Sequence, residues 1–216
     1  MTSMFALAKS FVKDLLPTFL VRKIQSFLFI IATRRLSGFD VHLKYPDRHV
    51  LENIIIPYFV KRNEFQKILF VGCDWYTKPY KKYFKNKDYW TIEIEPDKSK
   101  YGAKNHITDS IENLSNYIDN DYFDLIFFTG VFGHGLNSRE ATEKAVNQCF
   151  QCLRQSGILV FGWNDILELT PFPVIQECQS LKKFDSYFFA PLSSSQYVVP
   201  DEFRHTFVFY IKPLSK

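Results

Sequence analysis

The chain has 216 residues, of which 46% are hydrophobic, 18% are aromatic and only eight are glycine. This composition excludes a disordered protein and predicts one globular domain with an extension. The net charge of +4 is uneven, because residues 1–62 carry ten Lys and Arg against four Asp and Glu (+6) and the remainder carries −2. A basic front can attract an anionic surface or nucleic acid. No nucleic-acid recognition motif accompanies it, so we interpret it as a solvated face and expect no nucleic-acid partner.

Residues 1–32 contain two amphipathic stretches that are separated near Pro17. Apolar residues recur at helical spacing in both stretches, at Phe11, Val12, Leu15, Leu16 and Phe19 and then at Val21, Ile24, Phe27, Leu28 and Ile31. No small-residue cleavage site follows, which argues against a signal peptide. Arg22 and Lys23 interrupt a run that is too short to cross a bilayer. We therefore expect a cytoplasmic protein with a helical N-terminal cap over residues 1–60, although an interfacial helix at a membrane surface is an alternative.

A helix and a buried strand follow this segment. The helix is predicted to be capped by Asp47 and to kink or end at Pro57, with its inward face formed by Leu51, Ile54, Ile55 and Tyr58. The run KILFVG at residues 67–72 predicts a strand that is buried on both faces. It stops at Gly72, where the missing Cβ allows close approach to the backbone. Ligands of open α/β sheets bind at the carboxyl ends of such strands.

Strands and helices then alternate, which predicts a mostly parallel sheet with right-handed crossovers. The predicted strands are residues 67–72, 89–94, 104–107, 123–129, 158–162, 184–189 and 204–212. Helices are predicted at residues 77–84, after Asn137 or Ser138, and near residues 174–181, with Glu140 placed for a capping box with Asn137. The four cysteines predict no disulfide framework, and Cys149 and Cys152 are interpreted as packing residues of one helical face.

The residues after the first two strands distinguish between two nucleotide-type cofactors. A dinucleotide pyrophosphate needs several glycines and helix amides around it, and here Gly72 is followed by Trp75 and Tyr76. S-adenosylmethionine carries no phosphate and needs an acid for its ribose hydroxyls. Glu93 lies about 20 residues beyond the glycine turn, where such an acid is expected, with Glu95 as the second choice. The pattern therefore favours S-adenosylmethionine.

Five segments in series resemble the successive motifs of class I S-adenosylmethionine-dependent methyltransferases: FVGCDWYT, TIEIEPDK, HITDSIENL, FDLIFFTGVFGHGLN and GILVFGWND. The resemblance implies a Rossmann-like α/β fold over residues 61–216, with a seven-stranded sheet whose last strand is antiparallel. It also implies that Glu93 binds the ribose. The cofactor-binding residues that it implies are Gly72, Cys73, Asp74, Tyr76, Glu93, Ile94, Asp109, Ser110, Ile111, Thr129, Gly130 and Phe132. The chain departs from the family where Asp74 and Tyr76 replace the usual second and third glycines.

Few groups are candidates for the transfer chemistry itself. Methyl transfer is an in-line displacement that depends on positioning, and a base is needed only when the nucleophile starts protonated. His134, in the glycine-flanked loop after the fourth strand, and Asp165, just past the fifth, are the candidate catalytic residues. Asn164 and Trp163 supply an amide and a ring that could orient a substrate. His205 is expected to be a structural histidine, and no acid cluster indicates a metal site.

These observations predict an S-adenosylmethionine-dependent methyltransferase that modifies N or O of a small, apolar or aromatic metabolite in specialised (natural-product) metabolism. The predicted cap would cover the active site, so we expect deletion of residues 1–36 to preserve cofactor binding and to abolish transfer. Three alternatives stay open at this point. They are a nucleotide-dependent oxidoreductase, a non-catalytic relative of the fold that binds cofactor or a partner, and a methyltransferase that acts on lipid-like substrates at a membrane surface.

Overall fold

Residues 43–214 are described by a computed structural model, and they belong to a unit that runs from Leu43 to Lys216. The amphipathic stretches predicted at residues 1–32 lie outside the described residues. Across the described part of the chain, no helix is both long enough and apolar enough to span a bilayer.

The first described helix consists of two α-helical segments joined by a π-helical turn. They are α1 (Pro46–Val50), the turn Leu51–Ile55, and α2 (Ile56–Val60). Pro57 has no N–H to donate, and the wider turn before it lets the helix continue instead of ending there. The predicted cap at Asp47 is wrong, because Tyr45 occupies the N-cap position and no side chain caps the helix. Pro46 begins it instead, since proline already has a helical φ and needs no partner for an N–H.

Five parallel strands form the centre of the sheet in the order β3-β2-β1-β4-β5. They are β1 (Lys67–Val71), β2 (Asp88–Ile92), β3 (Asn105–Ile107), β4 (Phe123–Thr129) and β5 (Leu153–Asn164). Every residue of β4 is buried, and Lys67 is the one exposed residue of β1. Burial on both faces explains why residues 68–71 of β1 and residues 125–128 of β4 are continuous apolar runs rather than alternating ones.

The far edge of the sheet is antiparallel, as the resemblance implied. The edge strands are β6 (Asp185–Ser186), β7 (Gln196–Val198) and β8 (His205–Ile211). β8 pairs antiparallel with β5, which sets His205 opposite Asn164. β6 and β7 both pair with the outer side of β8 and share one strand position between them. The sheet thus has eight strands in seven positions, and the predicted topology is confirmed.

Helices cover both faces of this sheet. The remaining α-helices within residues 43–214 are α3 (Tyr80–Tyr83), α4 (Arg139–Cys152) and α5 (Val174–Glu177). The 3₁₀ turns of the same range occupy Pro96–Tyr101, Ile111–Asn116, Leu167–Leu169, Leu181–Lys183 and Ala190–Leu192. Ser138, one of the two predicted caps, accepts a hydrogen bond from the Ala141 N–H at 3.1 Å and starts α4. Without a comparable cap, the helix predicted at residues 77–84 shortens to α3.

Two apolar cores result, one on each face. Residues 46–60, which the sequence assigned to the cap, pack directly on the sheet, and Ile55, Ile56 and Phe59 are fully buried there. The core on the opposite face contains Cys149 and Cys152, both fully buried with free thiols. The predicted packing role of these two cysteines is confirmed.

Candidate functional site

A cavity of about 520 Å³ opens at the carboxyl ends of β1, β2, β4 and β5. This is the edge at which open α/β sheets bind their ligands. Three large apolar side chains that line it stay exposed to solvent: Tyr45 (51%), Ile94 (65%) and Phe203 (39%). Exposed rings and aliphatic groups grouped around a concavity are typical of a binding surface.

The backbone at Gly72 turns sharply away from β1. Its φ of +80° lies in the left-handed region, which an L-residue adopts only at a cost. A Cβ at this position would also lie 3.1 Å from Val131 Cγ2. The Gly72 N–H donates to the Ile92 carbonyl at 2.8 Å, which ties the end of β1 to the end of β2. The predicted need for glycine therefore has two causes here, the turn itself and the closeness of the loop after β4.

Glu93 joins the loops that follow β1 and β2. Its Oε2 accepts from the Cys73 N–H and its Oε1 from the Glu95 N–H, both at 3.0 Å. A carboxylate has about four acceptor positions, so roughly two remain on the side of the cavity that Glu93 lines. Glu95, in contrast, is exposed and binds Lys98 at 2.8 Å. The structure thus distinguishes two carboxylates that the sequence placed on one face, and only Glu93 is held in place by the backbone.

The turn after Gly72 is stabilised by side chains where further glycines were expected. The Asp74 N–H donates to Thr77 Oγ1 at 2.9 Å, and Asp74 Oδ1 accepts from the Trp75 N–H at 2.6 Å. Lys98 approaches the other Asp74 oxygen at 3.5 Å. The N–H groups of Asp74 and Trp75 are thus bonded within the turn itself. The turn therefore presents no row of free amides for a pyrophosphate.

Arg48 is a lining residue that sequence reasoning missed. It projects from α1 with 16% of its side chain exposed, and its guanidinium lies over the Tyr76 ring, 4.5 Å from the centroid. Arg48 Nη1 donates to the Tyr80 hydroxyl at 3.1 Å, and that hydroxyl donates to Glu52 Oε1 at 2.9 Å. The guanidinium is charged at any physiological pH. It therefore presents a fixed, oriented cation to the cavity.

The glycine-rich loop after β4 forms the opposite wall. Gly130 and Gly133 have φ of +73° and +83°, and a Cβ on Gly133 would lie 2.0 Å from the Leu169 carbonyl oxygen. This close contact with the loop after β5 sets the position of His134, which is exposed at the cavity wall. Partial enclosure and the nearby Arg48 charge lower the pKa of His134.

Two histidines flank a single amide at the ends of β5 and β8. Asn164 Oδ1 lies 2.7 Å from His205 Nδ1, and Asn164 Nδ2 lies 3.3 Å from His134 Nε2. All three side chains line the cavity. His205 is buried, and its Nε2 has no hydrogen-bond partner among residues 43–214. His205, which was expected to be a structural histidine, therefore has a hydrogen-bond partner at Nδ1 and none within residues 43–214 at Nε2.

The cavity brings together nine of the predicted site residues: Gly72, Cys73, Asp74, Tyr76, Glu93, Ile94, Thr129, Gly130 and His134. The other five lie outside its lining, namely Asp109, Ser110, Ile111, Phe132 and Asp165.

Each of these five has a different environment. The Asp109 carboxylate accepts from Ser110, Asn113 and Tyr117 within its own turn. Ser110 caps the following 3₁₀ turn and Ile111 is buried beside it. Phe132 and Asp165 face away from the cavity, because Phe132 is fully buried in the core under α4 and Asp165 lines a separate cavity near α5. Within the described residues, no group of three or more His, Cys, Asp and Glu is arranged to hold a metal ion.

Comparison with solved structures identifies the fold of this chain. No protein-family model and no curated protein sequence matches the chain. Many solved structures match its fold, and three methyltransferases are among them. The N-methyltransferase NodS from Bradyrhizobium japonicum WM9, in complex with S-adenosyl-l-homocysteine, has a TM-score of 0.59 and 14% identity, covering 79% of this chain and 90% of that one.

A S-adenosylmethionine-dependent methyltransferase from Methanosarcina mazei has a TM-score of 0.56 and 11% identity, covering 75% and 98% of the two chains. A TehB-like methyltransferase from Corynebacterium glutamicum has a TM-score of 0.54 and 16% identity, covering 91% and 100%. The chain therefore has the class I methyltransferase fold that its sequence motifs resemble.

Proposed function

We propose that this chain is an S-adenosylmethionine-dependent methyltransferase that modifies N or O of a small, apolar or aromatic molecule. The observation that carries the proposal is Glu93. Its carboxylate is fixed by two backbone N–H groups at the carboxyl edge of the sheet, with acceptor positions left toward the cavity. The two vicinal ribose hydroxyls would supply one donor for each of these acceptor positions, and the negative carboxylate would repel a phosphate.

The remaining lining residues suit the other parts of the cofactor. The methionine end would lie along Gly72, Cys73 and Asp74, where Arg48 offers a cation to its carboxylate. The sulfonium would lie near Thr129 and Gly130. The contact with Arg48 follows from the charge at the cavity wall, and the other assignments are those that the methyltransferase resemblance implies. S-adenosylmethionine itself would supply the methyl group on its sulfonium.

The adenine would lie beside the exposed Ile94 side chain. We keep Asp109, Ser110 and Ile111 as its proposed further contacts, since they follow β3 at the same edge of the sheet. Phe132 would support the sulfonium loop from within the core rather than touch the cofactor.

The acceptor would occupy the part of the cavity next to β5 and β8. Its walls there are the apolar groups of Tyr45, Leu169 and Phe203 together with the polar side chains of His134 and Asn164. Apolar rings with a few convergent polar groups are typical of a site for a small organic molecule. Asp165 faces a different cavity, so His134 is the stronger of the two predicted catalytic residues. The cytoplasmic location and the role in specialised metabolism stay predictions from the sequence.

Calorimetry with three ligands tests the proposal. S-adenosylmethionine and S-adenosylhomocysteine should both bind to the full chain, and NAD should not, because the turn after Gly72 has no amide cradle for a pyrophosphate. Mass spectrometry of ligands that co-purify with the protein would complement it, since a bound acceptor or product would be detected directly. Binding of NAD in preference to S-adenosylhomocysteine would refute the methyltransferase proposal.

A further inference from the structure

One amide group organises the end of the cavity next to β5 and β8, which we call the acceptor end. Asn164 Oδ1 lies 2.7 Å from His205 Nδ1, and Asn164 Nδ2 lies 3.3 Å from His134 Nε2. In this orientation the buried His205 Nε2, which has no partner among residues 43–214, carries a lone pair. The flipped amide would leave a buried N–H there without an acceptor, which is the rarer defect in proteins. Asn164 therefore donates to His134 Nε2, and the neutral His134 ring carries its hydrogen on Nδ1.

Neither histidine is free to take a proton from a bound molecule. His205 Nε2 is enclosed by protein, and burial lowers the pKa of His205 to about 3. The lone pair of His134 Nε2 already accepts from Asn164, and partial enclosure with the Arg48 charge lowers the pKa of His134. The His134 ring is exposed at the cavity wall, so what it offers is the hydrogen on Nδ1. The acceptor end thus has a hydrogen-bond donor where a base was expected.

The carboxylates of the cavity lie at its other walls. Those that line it within the described residues are Asp47, Asp74, Glu93 and Glu95. The last three belong to the loops after β1 and β2, and Asp47 pairs with Arg48, 3.6 Å from its Nε. The Arg48 charge lowers the pKa of both histidines, and Asp201 opposes it less strongly at His205. The field at the acceptor end is therefore positive, which disfavours an ammonium group and favours an anion.

Resting on the methyltransferase function proposed above, we infer that the acceptor is a carboxylate on an apolar or aromatic body, which the chain converts to its methyl ester. A carboxylate is already deprotonated at pH 7, so transfer to it needs no base. One carboxylate oxygen would accept from His134 Nδ1, and the other would face the sulfonium. The body would pack on Tyr45, Leu169 and Phe203.

The reaction balances without a proton transfer. The O–CH₃ bond forms as the C–S bond breaks, and the electron pair of the C–S bond stays on sulfur. The negative carboxylate and the positive sulfonium become a neutral ester and a neutral thioether. The two opposite charges attract each other more strongly in an enclosed site than in water. An alcohol or an ammonium group would arrive with a proton that no side chain described at the acceptor end can take.

Benzoate and benzamide are matched probes for this site, because they have nearly the same shape and differ in charge. In the full chain saturated with S-adenosylhomocysteine, calorimetry should show benzoate binding roughly tenfold more tightly than benzamide, which is the size of one charge-assisted hydrogen bond. ¹⁵N NMR of labelled histidines should show His134 protonated at Nδ1, and benzoate should shift that resonance. His134→Phe keeps a ring without the donor and should lose the preference. The matched control His49→Phe, at an exposed histidine outside the cavity lining, should retain it.

The product identifies the acceptor atom when the methyl group of S-adenosylmethionine is labelled. Benzoate, phenol and benzylamine are offered together. A methyl ester releases its label as methanol in mild alkali, whereas a methyl ether or an N-methyl amine retains it. The label transferred by the full chain should be mainly alkali-labile.

Three results would overturn the inference. They are equal affinities for benzoate and benzamide (binding of neither included), a His134 ring protonated at Nε2 in the wild-type protein, and a mainly alkali-stable product. The binding comparison decides the matter where none of the three compounds is methylated. Failure of S-adenosylhomocysteine to bind would refute the methyltransferase function separately, since binding of benzoate is measurable without it.

Discussion

Replacing Glu93 by Gln tests the cofactor assignment with the least disturbance to the fold. The amide keeps the shape of the side chain and one acceptor oxygen, which can still receive the Cys73 N–H that Glu93 holds at 3.0 Å. The Glu95 N–H loses its partner, but Glu95 is exposed and water can replace the bond. The variant should therefore fold, and its defect should be confined to the ligand.

The expected loss of affinity follows from the number of bonds. Two ribose hydroxyls would donate to the carboxylate, and each charge-assisted bond contributes about 1.5–3 kcal/mol. A glutamine side chain is uncharged and can accept at most one of these two hydrogen bonds. The variant therefore loses at least one charge-assisted bond to the ribose. Since about 1.4 kcal/mol is a factor of ten, S-adenosylhomocysteine should bind roughly 10- to 100-fold more weakly.

Titration calorimetry on Glu93→Gln and Glu95→Gln provides the comparison. Glu95 also lines the cavity but is bound to Lys98, so its replacement should change the affinity by less than about threefold. Thermal unfolding should confirm that both variants are folded. Unchanged affinity in a folded Glu93→Gln, or a larger loss in Glu95→Gln, would show that the ribose acid has been assigned to the wrong residue.

Three further predictions concern the other walls of the cavity. Arg48→Met should weaken S-adenosylhomocysteine by about tenfold in calorimetry and leave 5′-methylthioadenosine, which has no carboxylate, unaffected; equal losses for both ligands would contradict the assignment. Gly72→Ala should lower the free energy of unfolding in urea by about 1–2 kcal/mol, because φ is +80° there. The matched control Gly135→Ala, where a Cβ meets nothing within 4 Å, should change it little, and a smaller effect at Gly72 than at Gly135 would refute this reasoning. Acidification should destabilise the protein, because the folded His205 stays neutral down to about pH 3 while the unfolded residue protonates near its ordinary pKa of 6.5. The unfolded state then binds more protons, so between pH 7 and pH 5 this residue removes about 2 kcal/mol of stability, and His205→Phe should lack that share of the pH dependence.

The strands at the centre of the sheet could be predicted from the sequence, because their signal is local. A run such as residues 125–128 is apolar at every position, since it is buried on both faces, and no distant contact is needed to recognise it. The same holds for Gly72, whose turn follows directly from the end of a strand. Edge elements were predicted less well. The strand expected at residues 184–189 shortens to Asp185–Ser186, and the strand Gln196–Val198 was not predicted, because edge strands carry a weaker apolar pattern.

The site was partly predictable for a related reason. The carboxyl ends of parallel strands meet at one edge, so Glu93 and Thr129 could be placed together from strand order alone. Which face a residue presents after a strand was not predictable. Phe132 turns into the core under α4, and Asp165 turns toward a second cavity.

Only the tertiary structure decided how distant segments combine. Arg48 reaches the cavity because α1 packs on the sheet beside Tyr76 and Tyr80, and nothing in the local pattern of a short helix specifies that position. His205 and Asn164 are 41 residues apart and meet because the antiparallel register of β5 and β8 sets them opposite each other. A register is a property of two strands and of the core that they share. The sequence by itself therefore determined the sheet and its binding edge, and the pairing of strands decided which side chains face the ligand there.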